Sequence, residues 1–123
     1  MPWSTNIDPD LPIINTIYWG ILTPHELSEA FHETLSLVYM HDRTRILADC
    51  TALSGGHSVI DLYYLAEMLA SKDINRSLKE AVLLPSVPTS AEKVEFWENA
   101  CYNRGLKVRM FDNHRVATDW LLA

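Results

Sequence analysis

The sequence predicts an α/β fold, in which a mostly parallel sheet begins with an antiparallel strand pair and is covered by about four helices. Short apolar runs alternate along the chain with longer segments of helical periodicity, in the order β-β-α-β-α-β-α-β-α. The connections are short, so neighbouring parallel strands should be linked by right-handed crossovers. The length of 123 residues is that of one domain, expected to span residues 1–123 with residues 1–12 as an N-terminal strand and turn.

The first two strands are predicted on either side of the turn Asp8-Pro9-Asp10, because proline presets φ and aspartate bonds its own backbone. The first strand lies near Trp3–Ile7. The second covers residues 13–19, where β-branched and aromatic side chains dominate. Gly20 interrupts this run and indicates a bulge or a close approach of two backbones.

The start of the first helix is marked by residues 23–26, Thr-Pro-His-Glu. Thr23 supplies an N-cap hydroxyl, proline occupies the first helical position, and Glu26 stands where a capping box needs an acid. Leu22 and Leu27 have the spacing of a hydrophobic staple across this boundary. The apolar periodicity that follows predicts a helix ending near residues 40–42.

The third strand is predicted at residues 44–48, a mostly apolar run that is typical of a strand covered on both faces. After the bend Gly55-Gly56, Ser58 and Asp61 provide a hydroxyl cap and an acid three residues later. They open the most apolar helix of the chain. We expect this helix either to lie between other layers or to offer part of its surface to a partner.

Another buried strand is predicted at residues 81–84, and it is followed by a helix that opens near Thr89. Gly105 is well placed to end this helix, because glycine readily adopts the left-handed conformation of a C-cap. Four residues of the helix are expected to face the core, namely Val94, Trp97, Ala100 and Cys101.

Residues 106–111 alternate apolar and cationic side chains, as expected for a half-buried strand at an edge of the sheet. Asp112 is the predicted N-cap of the last helix, with Phe111 and Val116 as its staple. Residues 120–122 of that helix are expected to close the core.

Composition excludes several classes of function. The net charge of −6 and the pI near 5.2 argue against a nucleic-acid partner and against binding to anionic membranes. No apolar run reaches the length of a membrane span, and the N-terminus does not resemble a signal peptide. Cys50 and Cys101 lack the spacing of metal ligands and predict buried free thiols in a reducing compartment. A cytoplasmic protein without a cofactor is therefore expected.

A family resemblance is carried by features spread over residues 13–122. A strand ending in Gly20 precedes the capped start of the first helix, and Asp49 stands at a predicted strand end before the central loop. Residues 81–84 lead into a polar helix start, residues 104–111 form the last strand, and the terminal helix finishes in Asp-Trp-Leu. This pattern resembles the STAS domain, the fold of bacterial anti-sigma-factor antagonists, and especially its SpoIIAA-like relatives.

The resemblance implies a candidate phosphoacceptor. In the antagonists, a partner kinase phosphorylates a serine within an Asp-Ser-(Ser/Thr)-Gly pattern at the start of the second helix. The corresponding residues here are His57, Ser58, Val59 and Ile60. Ser58 matches the acceptor, whereas His57 replaces the acid and the next two residues replace small ones. From the residues alone, Ser58 is an ordinary N-cap that stabilises by about 1 kcal/mol.

The predicted binding or interaction loop leads from the third strand into the second helix, because partners of open α/β sheets meet the carboxyl ends of the strands. Its residues are Asp49, Thr51, Ser54, Gly55, Gly56, His57 and Ser58. The glycine bend before a helix N-terminus is also suited to hold an anion. A catalytic interpretation pairs His57 with Ser54 or Cys50, but no nucleophile-elbow motif is present.

Two further groups have both a functional and a structural interpretation. His25, Glu29 and His32 share one helix face at a spacing that can gather metal ligands, although a solvated polar face is favoured because no fourth ligand follows. Aromatic and methionine side chains could line a lipid-sized pocket. The lipid-binding SEC14-related domains, which resemble STAS domains in topology, support this interpretation. Side chains at helical spacing, however, more often belong to the core. The side chains in question are Tyr63, Tyr64, Met68 and Trp97.

The function predicted from these observations is that of a non-enzymatic regulatory or protein-interaction module. Its partner would be a protein, and a second copy of the chain, forming a homodimer, is among the candidates. The alternative is a protein that binds a small apolar ligand or lipid between sheet and helices. An enzyme centred on His57 is the third and weakest hypothesis.

Overall fold

The computed structural model describes residues 2–55, 58–71, 78–86 and 88–123, apart from the side chains of residues 88–90. Within these residues the predicted order of strands and helices is confirmed. The strands are β1 (Trp3–Ile7), β2 (Ile13–Ile21), β3 (Arg45–Gly55), β4 (Lys79–Leu83) and β5 (Lys107–Phe111). The helices are α1 (Pro24–His41), α2 (Val59–Ser71), α3 (Pro88–Tyr102) and α4 (His114–Leu122).

The strands form one sheet in the order β1-β2-β3-β4-β5. β1 and β2 are antiparallel, whereas β2, β3, β4 and β5 run parallel to one another. The predicted α/β class with an antiparallel pair at its start is thereby confirmed. β5 lies at one edge, as its alternating sequence predicted, with Lys107 and Arg109 exposed to solvent.

β3 extends to Gly55, although the sequence predicted that this strand would end at residue 48. Beyond Asp49 it continues to pair with β2, and Trp19 lies opposite Ala52. The ladder shifts register in this region, where Gly20 has a φ of 67°, as the predicted bulge requires. The prediction that Asp49 marks a strand end is therefore wrong, because the polar residues that follow belong to the exposed side of a strand.

Two helix ends follow the sequence prediction. At the start of α1, the Glu26 backbone N–H donates to the Thr23 hydroxyl at 3.2 Å, and the Thr23 backbone N–H donates to the Glu26 carboxylate at 3.0 Å. Leu22 and Leu27 are buried beside this capping box, as expected for a staple. At the end of α3, Gly105 has a φ of 76°, which a C-cap glycine adopts without strain.

The predicted N-cap of α4, Asp112, is wrong by one residue. Asn113 has the extended backbone of an N-cap, and its side-chain oxygen accepts a hydrogen bond from the Val116 backbone N–H at 3.1 Å. The later start also removes the predicted staple, since Val116 is 52% exposed. Phe111 packs instead against Trp120, with the ring centroids 5.6 Å apart.

Helices cover the two faces of the sheet unequally. α1, α2 and α3 enclose the larger core on one face, and the α3 residues predicted to face inward are buried there: Val94, Trp97, Ala100 and Cys101. α4 packs on the opposite face through Ala117 and Leu121, mainly against β3 and β4. On this second face, Ile17 and Trp19 of β2 are exposed.

Charges differ between the two ends of the parallel strands. Arg45, Lys79 and Lys107 lie side by side in register at the amino ends of β3, β4 and β5. Arg45 Nε donates to the Leu121 carbonyl oxygen at 2.8 Å and Lys79 Nζ to that of Trp120 at 3.2 Å, so both cations cap the C-terminus of α4. At the carboxyl ends of β2 and β3, the first turns of α1 and α2 carry acids instead, Glu26 and Asp61.

Candidate functional site

The predicted interaction loop begins as the carboxyl-terminal half of β3. Asp49 Oδ1 accepts hydrogen bonds from the Thr51 backbone N–H at 3.0 Å and from the Thr51 hydroxyl at 2.6 Å. The Ser86 hydroxyl donates to the Thr51 carbonyl oxygen at 3.3 Å, which ties the end of β4 to this region. Ser54 is exposed, whereas Gly55 is buried. Asp49, Thr51 and Ser54 therefore lie along a strand as an ordered polar strip.

Ser58 is exposed and forms a capping box at the start of α2. Its backbone N–H and its hydroxyl donate to Asp61 Oδ2 at 2.7 and 2.8 Å. The Asp61 backbone N–H donates in return to the Ser58 hydroxyl at 3.3 Å. The predicted cap is thus confirmed, and the hydroxyl serves as donor and acceptor at the same time.

Gly56 and His57 lie outside the described residues, and with them the predicted anion-binding bend and the pairs of His57 with Ser54 or Cys50. Cys50 itself is buried on the core side of β3, as predicted. Burial raises the pKa of its thiol well above the ordinary value, with further contributions from Glu80 and Asp49. A thiol held protonated in this way is a poor nucleophile.

The first half of α2 exposes apolar side chains to solvent. The exposed fractions are 41% for Val59, 64% for Ile60, 45% for Tyr63 and 66% for Tyr64. We call these four residues the α2 apolar surface. The two tyrosine rings meet edge to face with centroids 5.9 Å apart. The same helix buries Leu62, Leu65, Ala66 and Leu69. It therefore has apolar residues on its buried side and on its exposed side, as the sequence suggested.

A groove of about 550 Å³ separates α2 from α3 next to this surface. Tyr63 and Glu67 line it from α2, and Phe96 and Arg104 line it from α3 and the turn that follows. Arg104 Nε donates to Glu67 Oε1 at 2.9 Å, and its guanidinium lies 5.0 Å from the centroid of the Tyr63 ring. An ion pair and an aromatic side chain thus form part of the lining of the groove.

Glu80 is a functional candidate that sequence reasoning missed. It lines three small cavities between the sheet and the helices, of about 50, 30 and 10 Å³. The alternation of side chains along β4 could have revealed that Glu80 faces the core. Glu80 precedes Ala81 in β4, and strand alternation points it to the same face as Val82, into the larger core. The prediction started this strand at residue 81 and so left Glu80 outside it.

The Glu80 carboxyl has one hydrogen-bond donor among the described residues, since Trp97 Nε1–H donates to its Oε1 at 2.8 Å. Burial raises the pKa of Glu80 to about 7, and the donation from Trp97 opposes this rise. Burial also raises the pKa of Tyr18, of Cys50 and of Cys101, and the charge of Glu80 adds to each of these shifts. A carboxyl group whose pKa lies near neutrality inside a pocket marks a candidate functional site.

The three predicted metal ligands on α1, His25, Glu29 and His32, make contacts within that helix. His25 Nε2 lies 2.5 Å from Glu29 Oε1, and His32 Nδ1 lies 2.8 Å from the Ser28 carbonyl oxygen. In the part of the chain that the structure describes, no three His, Cys, Asp or Glu side chains group together as metal ligands.

The structure separates the residues of the predicted lipid pocket. Trp97 is buried and lines the cavity of about 50 Å³, and Met68 packs half-buried against the same core. Tyr63 and Tyr64 lie outside it on the α2 apolar surface. Ligand pockets usually have volumes of about 300–1,000 Å³, so this cavity is too small to enclose a lipid.

Comparison with solved structures identifies the fold. An uncharacterised protein of the DUF3478 family from Shewanella loihica PV-4, described as having a SpoIIAA-like fold, superposes with a TM-score of 0.59 at 17% sequence identity. The match covers 97% of this chain and 93% of the other. The chain has a SpoIIAA-like fold. The predicted resemblance to STAS domains is confirmed at the level of this fold.

The SpoIIAA-like fold does not by itself assign an activity. No protein-family model matches the sequence, and no curated protein is similar to it. None of the described helices combines the length and the apolar character needed to cross a membrane.

Proposed function

We propose that this protein is a non-enzymatic, cytoplasmic STAS-like module that regulates or binds another protein through the α2 apolar surface and the neighbouring strip of β3. The observation that carries this proposal is that four apolar residues on successive turns of α2 are exposed to solvent, namely Val59, Ile60, Tyr63 and Tyr64. Exposed apolar clusters rimmed by polar groups are typical of protein interfaces.

The composition of this surface suits an interface. Tyrosines are enriched among the residues that dominate binding energy, because they bury a large area and lose little conformational entropy. Ser58 and Asp61 supply polar groups at the first turn of the same helix, as at an interface rim. Ile21, exposed where β2 ends, pairs with Gly55, the last residue of β3.

Ser58 is the proposed point of control. A phosphate on its hydroxyl would replace the hydrogen bond that now runs to Asp61 Oδ2 and would place a second negative charge next to that carboxylate. The helix N-terminus favours the added charge, whereas Asp61 opposes it. Phosphorylation would therefore change both the charge of the α2 apolar surface and the order of the first helical turn.

A photo-crosslinking experiment tests the proposed surface. A photoreactive amino acid replaces Tyr64 in one variant and Tyr39, which is 55% exposed near the far end of α1, in a matched control. We expect one discrete crosslinked partner from position 64 and not from position 39. The substitution Ile60→Ser should weaken binding of that partner by about tenfold or more, whereas Met40→Ser should leave it unchanged.

Two results would contradict the proposal. One is equal crosslinking from both positions. The other is a partner whose binding is insensitive to Ile60→Ser. Sedimentation of the purified chain distinguishes a second copy from a different protein, because a homodimer through this surface should dissociate in the Ile60→Ser variant and persist in the Met40→Ser variant.

A further inference from the structure

Among the described residues, no cation pairs with the carboxyl group of Glu80. Trp97 is its one hydrogen-bond donor among the described residues, which leaves Oε2 without a described partner. Lys93 also lines the largest cavity beside Glu80, but it makes an interaction of its own and is not among the groups that shift the pKa of Glu80. Charged groups inside proteins are normally paired. An acid in an apolar pocket without a described counter-ion is therefore a candidate site for a cation.

The chemistry of the pocket selects among cations. A metal ion needs several oxygen, nitrogen or sulfur ligands, and Glu80 is the only carboxylate among the described residues that line the cavity of about 50 Å³. The other candidate ligand atoms, the Tyr18 hydroxyl and the Cys50 thiol, stay protonated because burial raises their pKa values. An ammonium group needs only the carboxylate and aromatic surroundings.

Aromatic and aliphatic side chains form the rest of the wall. Phe31 and Trp97 pack edge to face with centroids 5.2 Å apart, and Leu22 and Leu62 lie among the other lining residues. The cavity is partly open to solvent and has room for little more than an ammonium group and a short hydrocarbon tail. The net charge of −6 further favours the approach of a cation.

We propose that the Glu80 pocket binds the ammonium group of a short-chain primary amine, with the Glu80 carboxylate as counter-ion and Trp97 holding that carboxylate in place. Binding requires ionised Glu80. The affinity should therefore fall about tenfold for each pH unit below the pKa of this group. The other titratable groups around it are Tyr18, Cys50, Lys93 and Cys101, with Lys107 at the second cavity, and burial raises the pKa values of Tyr18, Cys50 and Cys101.

Titration of the full chain with three small probes tests the proposal. Ethylammonium is the cationic probe, ethanol the neutral probe of the same size, and acetate the anionic probe. The readout is the NMR resonance of the Trp97 indole N–H, recorded at mildly alkaline pH. We expect a saturable shift with ethylammonium and at least about tenfold weaker binding of ethanol and acetate, because only the cation gains a charge-assisted hydrogen bond.

Two variants distinguish the pocket from other acidic sites. Glu80→Gln keeps an acceptor for Trp97 but removes the charge, and it should weaken ethylammonium binding by about tenfold or more. Glu95→Gln removes an exposed charge from α3 and should leave binding unchanged. If Glu80→Gln does not fold, the titration of the unmodified chain at mildly acidic pH replaces it and should show the same loss.

Equal affinity for ethylammonium and ethanol would overturn the proposal, and so would an affinity that is independent of pH. A shift that never saturates would do the same. The test is independent of the α2 apolar surface. Tyr64→Ser should bind ethylammonium as the unmodified chain does, whether or not this surface docks a protein.

Discussion

The stability of this protein should depend on the charge of Glu80, and the substitution Glu80→Gln measures that dependence. In the folded protein burial raises the pKa of this carboxyl from the ordinary value of 4.5 to about 7. Between these two pH values the unfolded chain loses the proton and the folded chain keeps it. The free energy of unfolding therefore falls as pH rises through this window, and the loss is complete above about pH 7.

The magnitude follows from the size of the pKa rise. Each pKa unit corresponds to about 1.4 kcal/mol, so a rise from 4.5 to about 7 is worth at most roughly 3 to 4 kcal/mol. Glu80 is only partly shielded, because the residue is half-buried, and solvent therefore screens part of its charge. We expect Glu80→Gln to raise the free energy of unfolding by about 2 kcal/mol above neutral pH.

Urea denaturation between about pH 5 and about pH 8 provides the measurement. The curves of Glu80→Gln and the unmodified chain should nearly coincide at the acidic end and diverge as pH rises, because glutamine carries no charge at any pH. Glu95→Gln, which removes an exposed acid from the helix that carries Trp97, is the control and should follow the unmodified chain. Parallel pH curves for Glu80→Gln and the unmodified chain would refute the reasoning.

Three further changes test local features, each by thermal and urea denaturation. Ser58→Ala should lower the free energy of unfolding by about 1 kcal/mol through loss of the α2 cap, whereas Ser58→Asn, another good cap, should lose less; equal losses would exclude a capping role. Asn113→Ala should lower the free energy of unfolding by about 1 kcal/mol and Asp112→Ala by much less. A larger loss from Asp112→Ala would show that Asp112 is the N-cap, as the sequence predicted. Gly20→Ala should lower the free energy of unfolding by about 1 kcal/mol. An added Cβ would meet no atom within 4 Å, but a φ of 67° is strained for alanine. An unchanged stability would show that the backbone relaxes at this position.

Most helices and strands could be predicted from local patterns, because their determinants lie within a few residues of one another. The capping box of Thr23 and Glu26 and the C-cap at Gly105 are complete in the sequence and form as written. Asp112 and Asn113 show the limit of this reasoning. Both residue types cap helices well, and only the backbone path selects the second.

The candidate sites depended on contacts that the sequence does not display. The polar residues Asp49, Thr51 and Ser54 suggest a loop, yet pairing with β2 keeps them in a strand whose outward side is open to solvent. Glu80 owes its raised pKa to burial, and its hydrogen-bond donor Trp97 lies 17 positions later on another element. No local pattern reports that an acid will be buried beneath a helix packed from elsewhere in the chain.

The register of the parallel strands gives this protein an electric polarity. Arg45, Lys79 and Lys107 lie at one end of the strands, where the first two also cap α4, while Glu26 and Asp61 lie at the other end. Such a separation acts as a dipole. A cationic protein that diffuses towards the molecule would be turned towards the end where α1 and α2 begin, which is where the α2 apolar surface lies. Encounter would then be faster at low ionic strength, before any apolar contact forms.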